Sequence, residues 1–212
     1  MDTDSDEMTK DAILPPTDIP DLSALQLQTE WAFINRAILG GGSSDFTAYT
    51  LQLNCVRLMD AAIRDYSLGR QAILSFHARS PDEFGLGWIA MATTHFESCV
   101  WHLERAVKHA RVLRSLKTAE TGLKQLISKK LSFFSASAES RITALRDTLA
   151  HLEKAAGNGE LRSGESIALM PTSVGLSISG HTIEWAELAG WLTDGHSCVA
   201  ALASFKPSRD SG

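Results

Sequence analysis

Over most of the chain the apolar residues recur at steps of three and four, the period of an α-helix with one buried face. A first helix is expected over about Leu22 to Leu39, stopped by Gly40, Gly41 and Gly42. Ser43, Ser44 and Asp45 offer caps to the next helix, in which Phe46, Tyr49, Leu53, Val56, Met59, Ile63 and Tyr66 form one apolar stripe. Pro81 marks the break after it. Another long helix is expected from about Gly87 to Leu116, with Phe96, Val100, Leu103, Val107 and Ala110 as its core stripe. A shorter helix follows near Ala119 to Phe133, with Leu123, Ile127 and Leu131 inward. The small residues of Ser135 to Ser140 read as a hinge. The next helix spans about Ala138 to Ala156 and ends at Gly157-Asn158-Gly159.

The pattern then changes. Ile167 to Met170, Ser173 to Ser177 and His181 to Trp185 read as short strands, joined by turns at Pro171-Thr172 and Ser179-Gly180. A last helix, about Trp185 to Phe205, packs back. The fold class is therefore mainly α: a helical bundle with a small C-terminal β-meander and a final packing helix. The domain reading is an acidic, mobile tail over 1–20, a single domain over 21–206 with the β-meander at about 166–185, and a flexible C-terminus over 207–212.

Charge alters this picture by its placement. The net charge of −5 over 212 residues looks wrong for a nucleic-acid binder. Residues 1–30, however, hold eight acids and one base, a balance of −7, which leaves +2 for the rest. Between Trp101 and Lys130 stand eight bases, Arg111 and Arg114 among them, against Glu104 and Glu120. Such a stretch attracts phosphate, or is an ordinary solvated face. The acidic tail is in a position to mask it, so deleting residues 1–20 is expected to raise RNA affinity. No apolar run reaches the roughly 18 to 20 residues that span a bilayer, and no basic-then-apolar leader opens the chain. A cytoplasmic protein with no membrane partner is the expectation. Cys55, Cys99 and Cys198 are too few and too scattered for a disulfide framework or a zinc cage.

The chemistry concentrates on the helix after the hinge. At about 100° per residue, Ile142, Leu145, Leu149 and Leu152 share an arc about 80° wide. Thr143, Arg146, Asp147, Ala150, His151 and Lys154 share a second arc of about 140°, largely opposite the core. Arg146, Asp147 and His151 are thus expected on one polar surface, with Asp147 and His151 four apart and able to touch. The plain alternative is a solvated Arg-Asp-His trio.

The segment Arg146-Asp147-Thr148-Leu149-Ala150-His151 resembles the signature of the HEPN superfamily: Arg, then Asn, Asp or His, then three residues, then His. The bundle pattern extends the resemblance loosely over 44–159. It implies a metal-independent endoribonuclease, with no cofactor, that pairs as a homodimer with two motif helices facing one cleft. A toxin or phage-defence role, with an antitoxin or regulatory protein as partner, is also implied. RNA brings its own nucleophile, the 2′-hydroxyl. His151 would then move protons, Arg146 would grip phosphate and stabilise its growing charge, and Asp147 would orient them. Lys154, Arg111 and Arg114 are candidate substrate-binding residues, read from the shared face and the basic stretch. The alternative is an inactive HEPN-like module that binds and regulates.

His95, Cys99, His102 and His109 follow one row, but without a carboxylate at convincing spacing they read as packing residues, not metal ligands. Arg105, Lys108, Arg111, Arg114 and Lys117 wrap around one helix at steps of three instead of forming a tight patch. Trp31, Trp88, Trp101, Trp185 and Trp191 read as packing residues that are also able to stack bases.

Overall fold

The structure, a computed structural model, describes residues 17–79, 85–128, 130–159 and 168–207. Six α-helices and one three-stranded sheet build it: α1 (Thr29–Leu39), α2 (Phe46–Ala78), α3 (Leu86–Ser115), α4 (Thr121–Leu126), a 3-10 turn (Ser132–Phe134), α5 (Ala136–Gly157), β1 (Met170–Pro171), β2 (Gly175–Ile178), β3 (His181–Glu184) and α6 (Trp185–Ala203). The expected bundle with a β-meander and a final helix is what the described residues form. No described helix is long and apolar enough to cross a membrane.

The frame is an antiparallel pair of long helices, α2 and α3. Asp65 meets His102, Tyr66 packs edge-on against Phe96, and the Cys55 thiol donates to the Ala106 carbonyl. Position numbers fall along α3 as they rise along α2. α6 closes the other side of α2, where the Gln52 amide donates to the Leu202 carbonyl at 2.6 Å. Met59, Ile63, Tyr66, Phe96, Val100 and Leu103 are buried between these helices. Each such side chain contributes about 1.5–3 kcal/mol by leaving water.

The small sheet is antiparallel in the order β1-β2-β3, with Leu176 opposite Ile183 and Ile178 opposite His181. Ser179 and Gly180 adopt φ of 45° and 80°, the left-handed pair that a two-residue hairpin turn requires. Leu176, Ile178 and Ile183 turn into the core. Trp185 locks the hairpin to the bundle: its ring lies 5.1 Å from Phe96 and its indole N–H donates to the Thr172 carbonyl.

Several expectations need correction. The first helix begins at Thr29 instead of Leu22. One oxygen of the buried Asp60 carboxylate accepts from the Gln28 and Thr29 N–H groups and the Thr29 hydroxyl, so a residue of α2 caps α1 from outside. Residues before it run as a docked segment, with Ile19 and Leu22 buried and the Pro20 carbonyl accepting from Tyr66. The packed chain thus reaches further toward the N-terminus than residue 21, while residues 1–16 lie outside the described ones. Phe46 stands 82% exposed and drops out of the α2 stripe.

The helix expected over Ala119 to Phe133 stops at Leu126. Asp194 of α6 instead holds the Ser132 N–H and hydroxyl, which sets the 3-10 turn and seats Phe133 in the core. The hinge at Ser135 to Ser140 is helical from Ala136 on, with the Ser135 hydroxyl capping the Ala138 N–H. The first strand is shorter than expected and Pro171 belongs to it. Pro81, Ile167 and residues 208–212 lie outside the described residues.

Candidate functional site

The motif rides on α5. Ile142 and Leu145 are fully buried and Leu149 and Leu152 pack at the core edge, as the helical arc requires. α5 lies antiparallel along α3, and β3 supports it as well. Arg111 pairs with Glu139 at one point of the seam and Glu104 with Arg146 at another. Seven residues separate the two contacts on each helix, two turns in register.

Arg146 does not lie on the open surface that the arc suggested. Its side chain is 21% exposed and turns into the α3–α5 seam. One guanidinium nitrogen lies 3.2 Å from Glu104 and another 2.6 Å from Asp147, and the group sits 5.7 Å from the centre of the Trp101 ring. The reason is Glu104, a carboxylate that α3 places in the buried zone and that needs positive charge beside it. Lys108, four residues on, supplies a second cation. One Glu104 oxygen and the Arg146 Nε remain buried without a hydrogen bond. Desolvation makes this pair sensitive to loss of either member.

Asp147 therefore orients Arg146. The expected touch between Asp147 and His151 is not made, because the nearer cation takes the carboxylate. His151 is exposed and forms no hydrogen bond or ion pair with a described residue. It stands five positions beyond Arg146, about 7.5 Å along the axis. Lys154 is exposed one turn further. The site is thus a cation held in place by protein carboxylates, with the exposed His151 about 140° further round α5.

The basic residues of α3 are spread out. Arg111 is committed to Glu139, twelve positions from His151 along α5, or about 18 Å. Arg114 lies beyond it and lines a shallow cleft of about 440 Å³ with Lys124 and Lys130. No acid lines that cleft among the described residues. The structure does not gather Arg111 and Arg114 around His151; they belong to the far end of the same seam.

Sequence reasoning missed Glu104 and Trp101 as parts of this site. The available signal was Glu104 itself, an acid inside a run of bases and next to the buried Leu103. The seam below the motif is closed: the void lined by Glu104, Val107, Glu139 and Ile142 holds only about 10 Å³. The motif is a surface site.

A larger cleft, about 550 Å³, lies elsewhere, between the start of α1 and the Arg57–Arg64 stretch of α2, with His102 on its wall. His102 and Glu104 project about 160° apart around α3, so this cleft is on the other flank from the motif. His102 bonds the buried Asp65 at 2.8 Å, with His95 at 4.0 Å from the same carboxylate. Among the described residues no cluster has the makings of a metal site. The three thiols are buried, and desolvation pushes their pKa values up, that of Cys198 to about 12. Trp185 and Trp191 are core residues, whereas Trp31 and Trp88 are exposed.

No protein-family model matches the chain, and no curated protein or solved structure is significantly similar to it.

Proposed function

We propose that the chain is a metal-independent endoribonuclease of the HEPN type, acting through Arg146 and His151. The observation that supports this most is the fixed Arg146 guanidinium, clamped by Glu104 and Asp147 on the Trp101 ring, one turn and a half from an uncommitted His151.

In this reading His151 removes the proton of the RNA 2′-hydroxyl. The 2′-oxygen attacks the adjacent phosphorus, the P–O5′ bond breaks, the 5′-oxygen takes the proton that His151 removed, directly or through water, and a 2′,3′-cyclic phosphate remains. Arg146 stabilises the charge on the phosphoryl oxygens. Asp147 is 46% exposed, so a phosphate can displace it from the guanidinium while Glu104 keeps the group aimed. Lys154 extends the positive surface past His151. Arg114, Lys124 and Lys130 offer a second phosphate contact at the far end of the seam. A toxin or defence role, a partner that restrains the enzyme and a cleft shared by two copies belong to the same proposal.

A second reading is a binding module without cleavage. It is favoured by the same ion pair, because a guanidinium already holding two carboxylates is also what a purely structural arginine looks like.

The test is RNA cleavage in EDTA by the wild type, Arg146→Ala and His151→Ala. Cleavage by the wild type alone, leaving cyclic-phosphate ends, is the expected result. Equal cleavage by all three would remove the site from consideration, and RNA binding without cleavage would favour the module.

A further inference from the structure

The helix α1 is built inside out. Its strongly amphipathic sequence, TEWAFINRAIL, places a polar residue, Asn35, as its one buried side chain. The Asn35 amide donates to the Ala203 and Phe205 carbonyls and so fastens α1 to the end of α6. Trp31, Phe33, Ile34 and Ile38 are 41%, 53%, 45% and 75% exposed. At about 100° per residue the outward half of the helix carries Phe33, Ala37, Glu30, Ile34 and Ile38, with Trp31 at its edge, where the indole N–H donates to the Ser204 hydroxyl at the end of α6; Glu30 is its only polar member. Leu27, just before the helix, is 50% exposed. Phe46, at the start of α2, adds a ring one turn from Tyr49, which Arg36 of α1 covers at 4.7 Å.

We infer that this face is where two copies of the chain meet, α1 against α1 about a twofold axis. This goes beyond the ribonuclease reading and does not depend on it. Three observations select a second copy as the occupant. Leu27, Trp31, Ile34 and Ile38 follow steps of four, three and four, the spacing that packs one helix into the grooves of another. The same stripe on both copies is self-complementary, as a twofold contact requires. Its size also fits: at roughly 200 Å² per large side chain, the exposed fractions of Leu27, Trp31, Phe33, Ile34, Ile38 and Phe46 amount to about 700 Å², against about 800 Å² per partner in a standard interface.

A lipid surface fits less well. Interfacial helices flank their apolar face with bases. Here Glu30 stands within the face, and the one base of α1, Arg36, is turned to the Gly41 and Ser43 carbonyls and the Tyr49 ring, while Arg57 and Arg64 of α2 stand by its first turn alone. Residues 1–16 carry four large apolar side chains, Met1, Met8, Ile13 and Leu14, against the six that the face exposes. α1 packs on α2 and α6, and α5 on α3 and β3, so this contact is separate from a pairing of motif helices.

The experiment measures solution mass from about 1 to 100 µM, the range in which a standard interface is half-formed or better. It uses the full chain beside Ile38→Glu and, as a control on α5, Lys154→Glu; circular dichroism confirms that each is folded. Wild type and Lys154→Glu are expected at twice the mass of one chain, or at four times where motif helices pair as well. Ile38→Glu is expected to dissociate at least tenfold more readily. The inference is overturned by a wild type that stays at single-chain mass throughout, whether or not it binds phosphatidylcholine vesicles. It is equally overturned by an Ile38→Glu protein that pairs as tightly as wild type, or by loss of pairing in Lys154→Glu alone. Cleavage is not a readout, so this inference and the ribonuclease reading fail separately.

Discussion

Glu104 and Arg146 meet at 3.2 Å across the seam of α3 and α5, and they join the buried core of the bundle to the one segment with candidate chemistry. Glu104 is 3% exposed, a charge that the fold tolerates only with cations at hand. The pair therefore has two consequences at once: it ties α5 to α3, and it fixes the direction of a guanidinium about one and a half turns before His151.

Breaking the pair from one side should be costly. Arg146→Ala leaves Glu104 with Lys108 alone, and the expected loss is about 3 kcal/mol, the low end for an orphaned buried charge. Joint replacement by Glu104→Leu and Arg146→Met should lose much less than the two single changes together. Urea unfolding of the four proteins gives the coupling; strictly additive losses would mean that the pair carries none.

His151 should separate stability from activity. It is exposed and uncommitted, so His151→Ala is expected to shift unfolding by no more than about 0.5 kcal/mol. Loss of a general acid or base lowers a rate by about 10² to 10⁴. A variant that melts early would make His151 a structural residue.

Glu120 should steepen the acid side of the stability curve. Burial acts to raise its pKa, but hydrogen bonds from the Ser43 hydroxyl and the Ser44 N–H and hydroxyl outweigh it and leave the value below the ordinary 4.5. A depressed folded value means that the charged form favours the fold. The contribution is whole above pH 4.5 and is lost as pH falls through the lower folded value. Glu120→Gln should be less stable than wild type at pH 7 and converge with it in acid. Parallel stability curves from pH 7 to pH 3 would contradict this.

The cysteines should be silent in the folded protein. Burial raises all three thiol pKa values, and the thiolate is the reactive form. Ellman's reagent at pH 8 is expected to find no fast-reacting thiol in the native state and three in urea. One fast equivalent before unfolding would show that one of these sites opens locally.

By itself the sequence determined the features whose cause is local. The stripes of α2, α3 and α5 place their helices because a 3.6-residue period turns one face toward any apolar partner. Ser179-Gly180 makes its turn because glycine takes a positive φ without a Cβ clash. The six-residue motif was legible too, as a spacing on one helix.

Only the tertiary structure decided where the ends and polar partners fall. Asp60 starts α1 from more than thirty positions away, Asp194 breaks the segment after α4, and Glu104 claims Arg146 from forty-two positions away. The helical arc assigned Arg146 to the surface because it counts only the angle around one helix. A guanidinium on a flexible stem goes where a desolvated carboxylate needs it, and that depends on which helix lies next door. The same holds for α1: its period declares an apolar face, but only packing shows that this face points away from its own core, because Asn35 and the end of α6 hold the helix by its polar side.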